Sequence, residues 1–249
     1  QGFGLTWKFL TIKFSVRTPL TFLEKSRFGK SEFRHLALNI NGKNYHVDFS
    51  IRRNRGFSDL TQENYEPGWY SGKDYFHRWD TRVFQISMNN ILFFNQKYSH
   101  NALFNFKGRQ LKTAGSFLMQ LTGRHQRLTS DSALIAPPMI EAFGRWGTLK
   151  EARTTLIGLM PGYTRAWIKR NWFFTPYLSA GPSLQHNRHF TANGPRGKLS
   201  IAPVADAKFS VGYNSTKFFT GVVGFYEFNF VFLDELFHLS YYNGLRWTV

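Results

Sequence analysis

Along most of the chain, hydrophobic residues fall on every second position. From Leu199 the odd positions read Leu199, Ile201, Pro203, Ala205, Ala207, Phe209, Val211 and Tyr213. The even positions read Ser200, Ala202, Val204, Asp206, Lys208, Ser210, Gly212 and Asn214. A period of two makes a strand with one oily face and one wet face. This strand is longer than the ~5–6 residues usual in globular sheets. If Asn214-Ser215 forms the turn into the next strand, Tyr213 meets Thr216, Val211 meets Phe218 and Ala207 meets Val222, so the apolar faces coincide. The opposite face then gathers Asp206, Lys208, Ser210, Glu227 and Asn229. Asn41-Gly42, the strongest hairpin signal in the chain, predicts the same arrangement. It sets Leu38 against Tyr45 on the oily face, and Ala37 against His46 and His35 against Asp48 on the wet face, which continues through Ser50 and Arg52.

The alternation recurs over residues 6–16, 84–92, 98–106, 113–128, 154–169, 172–185 and 243–249. It predicts about 11 strands, most long enough to cross a bilayer at a tilt. Longer connections are expected at 17–31, 54–80, 129–151, 187–196 and 231–242. The last carries Phe232, Leu233, Leu236, Phe237 and Leu239 at helical spacing, which predicts a short surface helix. No linker or composition shift divides the chain, so residues 1–249 read as a single domain. Strand parity leaves one conflict. The turns at 41–42 and 95–97 fall on one side, and those at 170–171 and 214–215 on the other. Either one crossing is miscounted, around 107–113 or 129–151, or long loops project from both sides.

Charge and composition then narrow the class. The chain has 249 residues, a formal charge of +17, 27 Phe and no Cys. That removes disulfide frameworks, thiolate metal sites and cysteine nucleophiles. The positive charge raises nucleic acid as a partner, but zinc-finger spacing, an RNP-like segment and a basic helix are all lacking. Gln1-Gly2-Phe3-Gly4 enters directly on a strand pattern, so the chain reads as mature or partial, with any export signal upstream. Three features favour a membrane barrel over a soluble sandwich. The strands are long. Charges such as Asp48, Arg52, Asp206 and Lys208 sit well inside the wet face. Aromatic residues (Trp7, Tyr45, Tyr163, Trp172, Tyr213, Trp247) recur near strand ends, as at a water–lipid boundary. The expected fold is therefore all-β: an antiparallel transmembrane β-barrel of meander topology with about 12 strands, of which about 11 are visible.

A resemblance points the same way. The blocks FGKS (28–31), KTAGSFLMQ (112–120), SDSALIAP (130–137), IKRNWFFTPYLSAGPSLQ (168–185) and GYNSTKFFTG (212–221) resemble a bacteroidete outer-membrane β-barrel family of unknown function, domain of unknown function 4421. Order and spacing agree over nearly the whole chain. The resemblance implies a Gram-negative outer membrane and a closed antiparallel barrel, and no activity. Family members usually end in an aromatic-terminated strand, so native terminal segments are expected beyond both ends of this chain.

For chemistry, the wet face supplies a lumen-facing polar network: His35, His46, Asp48, Ser50, Arg52, Asp206, Lys208 and Glu227. His46, Asp48 and Ser50 have the residue types of a Ser-His-Asp system. Same-face neighbours on a strand lie about 7 Å apart, however, so Ser50 does not reach His46. Asp206, Lys208 and Glu227 either set ion preference in an open lumen or pair with neighbours and help to plug it. His186 and His189 form a weak metal pair near a loop, without nearby carboxylates. Arg53, Arg55, Arg170, Arg188 and Lys198, expected at strand ends and in loops, are candidates to meet lipid headgroups or a partner. No catalytic residue, metal site or cofactor is expected. The expected partners are outer-membrane lipids and glycolipid, and other envelope proteins, but not nucleic acid. The expected role is a non-enzymatic structural or accessory subunit of an envelope complex. The alternatives are a small-solute channel and an outer-membrane hydrolase.

Overall fold

The computed structural model describes residues 2–16, 29–59, 62–70, 73–216, 218–233 and 236–248, with side chains described up to residue 230. The connection expected at 17–31 lies mostly outside the described residues. Eleven antiparallel strands form one sheet whose spatial order is the chain order. They are β1 (Gly2–Trp7), β2 (Leu10–Val16), β3 (Glu32–Asn41), β4 (Tyr45–Ser58), β5 (His77–Phe93), β6 (Ala114–Thr129), β7 (Glu151–Lys169), β8 (Trp172–Thr191), β9 (Gly194–Asn214), β10 (Phe219–Leu233) and β11 (Leu236–Thr248). One short helix, α1 (His100–Phe104), interrupts the meander between β5 and β6. The fold is the predicted all-β antiparallel meander. The sheet curls strongly enough that β2, β3 and β4 line a common cavity with β9 and β10. Among the described residues no ladder joins β1 to β11, and β1 is exposed on both faces.

The polarity of the two faces is inverted relative to a soluble sandwich. On β7 and β8 burial alternates residue by residue. Ile157 and Leu178 are 62% and 60% exposed, whereas Gln185, Asn187 and Ser179 are fully buried. Glutamine and asparagine are rarely interior in soluble proteins unless paired. A barrel in lipid reverses the arrangement, with an apolar band outside and polar groups inside.

The structure differs from the sequence expectation in five places. Residues 6–16 are not one strand: the chain reverses at Lys8-Phe9, with Lys8 at a positive φ of 50°, to make β1 and β2. Residues 98–106 are not a strand but α1 and its flanks. These two differences cancel in the strand count. The expected surface helix near residue 232 is instead the β10–β11 hairpin, with Phe232 opposite Phe237 and Leu233 opposite Leu236. The connection expected at 187–196 is a tight turn between Thr191 and Gly194.

The fifth difference is register. Both predicted hairpins keep their faces, but each residue's partner lies four residues further along than predicted. Asn39 faces Asp48 and His35 faces Arg52, while Val211 faces Val222 and Ala207 faces Tyr226. An even slip preserves faces, which is why the polarity pattern alone did not fix it. The first turn closes by the Gly42 N–H on the Tyr45 carbonyl at 2.9 Å, and the second by the Ser215 N–H on the Phe218 carbonyl at 2.9 Å. The reason is local. The Asn41 side chain is drawn into the interior, and the Ser215 hydroxyl accepts the Phe218 N–H at 3.0 Å.

Removing the false strand at 98–106 also removes the parity conflict. The turns after β1, β3, β7 and β9 lie at one end with the α1 segment, the short-turn end. The described parts of the β4–β5 connection and residues 130–150 lie at the other, the long-loop end.

Candidate functional site

The site is the interior of the curl, and its floor is the segment between β5 and β6. After β5 the chain leaves the sheet, and His100, Leu103 and Phe104 fall at helical spacing and are buried. Ser99 caps α1, its hydroxyl accepting the Ala102 N–H at 3.3 Å. The positive φ values of Phe106 (56°) and Gly108 (86°) turn the chain back toward β6. Five residues of helix cannot stand alone, so packing holds them. Leu103 and Phe104 join Ile91, Phe93, Tyr98, Leu118, Phe173, Tyr177 and Val223 in the apolar core. His100 stacks between Phe93, 5.0 Å between ring centres, and Phe104, at 4.8 Å.

Polar contacts tie this plug to strands from both sides of the curl. The Lys107 ammonium donates to the Thr11 hydroxyl of β2 at 2.8 Å. The Asn105 amide donates to the Asn41 side-chain oxygen of β3 at 2.8 Å, and His46 Nδ1 of β4 donates to that same oxygen at 2.8 Å. From the opposite side, the Ser210 hydroxyl of β9 donates to the Leu103 carbonyl at 2.5 Å. The Tyr98 hydroxyl and Thr164 of β7 are 3.0 Å apart. The plug therefore bridges the early and late strands of the sheet across the short-turn end.

Beyond the plug, polar side chains span the interior. Gln120 of β6 is a hub. Its amide nitrogen donates to the Asp206 carboxylate at 2.6 Å, and its oxygen accepts the Tyr177 hydroxyl at 2.5 Å and the Ser179 hydroxyl at 3.0 Å. Arg124 of β6 pairs with Glu227 of β10 at 2.5 Å. Each bond satisfies a group that would otherwise be costly to bury. What remains open is a cavity of about 250 Å³ above the plug.

That cavity collects nearly all the inner-face residues read from the alternation. His35, His46, Asp48, Ser50, Arg52, Lys208 and Glu227 line it, with Lys13 added from β2 and His100 and Asn105 from the plug. Asp206 lies apart from it, buried on Gln120. Ser50 and His46 are not brought together: the Ser50 hydroxyl lies 2.8 Å from the Ser87 hydroxyl, and His46 is held by Asn41. His186 and His189 are strand residues of β8, not loop residues, and alternation puts them on opposite faces, His186 exposed and His189 buried. A pair on opposite faces does not share a ligand. The basic candidates also separate. Arg53, Arg55, Arg188 and Lys198 lie toward the long-loop end, whereas Arg170, at positive φ, sits in the β7–β8 turn at the short-turn end.

Sequence reading missed the plug, the Gln120 hub and Arg124 as the partner of Glu227. The plug carried no separate signal, because residues 98–106 satisfy a period of two as well as helical spacing. The two partnerships depend on how far the sheet curls, and that is not a local property.

The model of the family described as Domain of unknown function (DUF4421) matches residues 1–235. The chain belongs to that family. No curated protein matches. Among solved structures, the chain is similar to the outer membrane protease OmpT from Escherichia coli, with a TM-score of 0.42 and 9% identity, over 95% of this chain and 82% of that one. At that score and identity no feature of the protease transfers to this family member.

Proposed function

We propose that this chain is a membrane-inserted β-barrel of the outer membrane, with a lumen closed by its own plug. In this reading it is a non-enzymatic structural or accessory subunit of a cell-envelope complex. The observation that carries the reading is the plug on its polar anchors, beneath an interior that hydrogen-bonded side chains narrow to a cavity of about 250 Å³. A barrel of this strand number can be largely filled by its own side chains, whereas wide channels need ~16–18 strands. The inverted burial of β7 and β8 supports the lipid setting. The separate engagement of Ser50 and His46 speaks against a hydrolase built on those residues.

The test is planar-bilayer recording of the purified chain. The unmodified protein is expected to give no conductance steps, and a variant with residues 99–110 replaced by a Gly-Ser linker is expected to give them. Steps from the unmodified protein would favour the channel reading. The accessory role is tested by native electrophoresis of the protein extracted in mild detergent. Migration as a larger complex is expected, and migration as a lone monomer would count against it.

A further inference from the structure

The outer surface of the sheet is not uniform along its strands. Toward the short-turn end its exposed residues are rich in aromatic rings, with Arg165 among them, 5.6 Å from the centre of Trp167. Trp167 stacks on Phe174 with ring centres 5.7 Å apart, Phe117 meets Tyr163 at 5.1 Å, and Trp172 meets Tyr213 at 5.3 Å. Toward the long-loop end the same outward positions carry arginine. Register places these arginines opposite one another on neighbouring strands: Arg34 faces Arg53, Arg55 faces Arg82, and Arg153 faces both Arg127 and Arg188. Phe84 lies between Arg53 on one side and Arg127 on the other. The row therefore runs from β3 to β8, interrupted at β5 by Phe84, with Arg82 two residues away on the same face.

Like charges directly opposite in a sheet are destabilising, so a row of such pairs needs compensation. The protein supplies part of it. Glu151 takes both Arg127 and Arg153, and Asp131 lies 3.5 Å from Arg82. Rings hold other guanidiniums in place: Arg55 lies 4.5 Å from the centre of Trp79, and Arg153 and Arg188 lie 4.8 and 5.6 Å from that of Phe190. Arg55 Nε donates to the Trp79 carbonyl and Arg153 Nε to Glu151, and the terminal N–H groups of these ring-held guanidiniums are left for phosphate. Four residues further into the sheet from Arg153 and Arg188 lie Ile157 and Leu184, which face each other, with Ile201 beyond. These are 62%, 51% and 73% exposed. Guanidinium above and aliphatic surface below match the two halves of a lipid, headgroup and acyl chain.

We propose that this arginine row binds the phosphates of phosphorylated lipids in the leaflet at the long-loop end. The inference rests on the membrane-barrel reading and adds a specific ligand chemistry and an orientation. The row and the aromatic girdle then mark opposite leaflets.

The test uses the full chain. Insertion into phosphatidylcholine vesicles is measured first, for the unmodified protein, an Arg53→Gln/Arg127→Gln/Arg153→Gln variant and an Arg170→Gln control. Native mass spectrometry from detergent then counts retained bis-phosphorylated lipid A against its dephosphorylated form. All three proteins are expected to insert. The unmodified protein and the control are expected to retain the phosphorylated lipid, and the triple variant to lose at least tenfold. Millimolar inorganic phosphate is expected not to displace the lipid. Equal retention by the triple variant, equal retention of dephosphorylated lipid, or full displacement by inorganic phosphate would each overturn the inference while leaving the barrel reading intact. Failure of the unmodified protein to insert would overturn both.

Discussion

The Arg124 guanidinium of β6 and the Glu227 carboxylate of β10 meet at 2.5 Å across the interior, with only 10% and 13% of their side chains exposed. The pair is a strut between strands that are not neighbours in the sheet. Removing one partner of a buried ion pair leaves the other uncompensated, a loss of about 3–5 kcal/mol. Arg124→Met and Glu227→Gln are each expected to lower stability on that scale, read by tryptophan fluorescence during urea unfolding from detergent micelles. The double variant Arg124→Met/Glu227→Leu is expected to be closer to the unmodified protein than either single change. Additive losses would show that the two side chains act independently.

The plug anchors carry a second prediction. The Asn105–Asn41 bond is neutral and is worth about 1 kcal/mol, and the Lys107–Thr11 bond involves a charge and is worth about 1.5–3 kcal/mol. Asn105→Ala and Lys107→Met are expected to speed amide exchange over residues 99–108, more for Lys107→Met, without changing exchange in β7 and β8. Unchanged exchange in the plug would mean that apolar packing alone seats it.

Gly181 of β8 sits where the β7–β8 ladder is interrupted between the Gly158–Ser183 and Gly162–Ser179 pairs. A Cβ there would come within 2.0 Å of the Leu159 carbonyl oxygen. Gly181→Ala is expected to cost about 1–3 kcal/mol through forced backbone movement, seen in the same unfolding measurement. Gly123→Ala, where a Cβ meets no neighbouring atom, is the control and is expected to change little.

Loop chemistry gives a pH dependence. Glu66 accepts from Lys73 at 2.6 Å and also from Gln62. The Lys73 bond first, then the Gln62 bond, hold its carboxyl below the ordinary glutamate value. A lowered pKa in the folded state means that the contribution is present at neutral pH and lost as pH falls through the lowered value. Amide exchange in residues 62–70, corrected for intrinsic rate, is expected to rise only in acid, and Glu66→Gln is expected to abolish the step. A step that persists in Glu66→Gln would assign it to another group.

Face assignment was legible in the sequence because it follows from a period of two. His35, His46, Asp48 and Lys208 were placed inside from alternation alone. Register was not legible, because a slip by an even number of residues leaves every face unchanged. The choice was made by the Asn41 and Ser215 side chains at the turns. The segment at 98–106 read as a strand because its apolar residues satisfy both periods over so short a run. It became a helix because the interior at that end needed filling. Arg124 and Gln120 stayed hidden for a different reason: their partners lie 103 and 86 residues away in sequence.

In a membrane barrel the outward face of β7 and β8 meets lipid. The chain has no cysteine, so single spin labels can be introduced without background at Ile157 and Leu178 outside, His35 in the cavity and Ser132 in a loop. In reconstituted vesicles, collision with oxygen and with a water-soluble nickel chelate is measured at each site. Labels at Ile157 and Leu178 are expected to collide often with oxygen and rarely with the chelate, and the label at Ser132 to do the reverse. Chelate collision at Ile157 and Leu178 equal to that at Ser132 would contradict the membrane barrel.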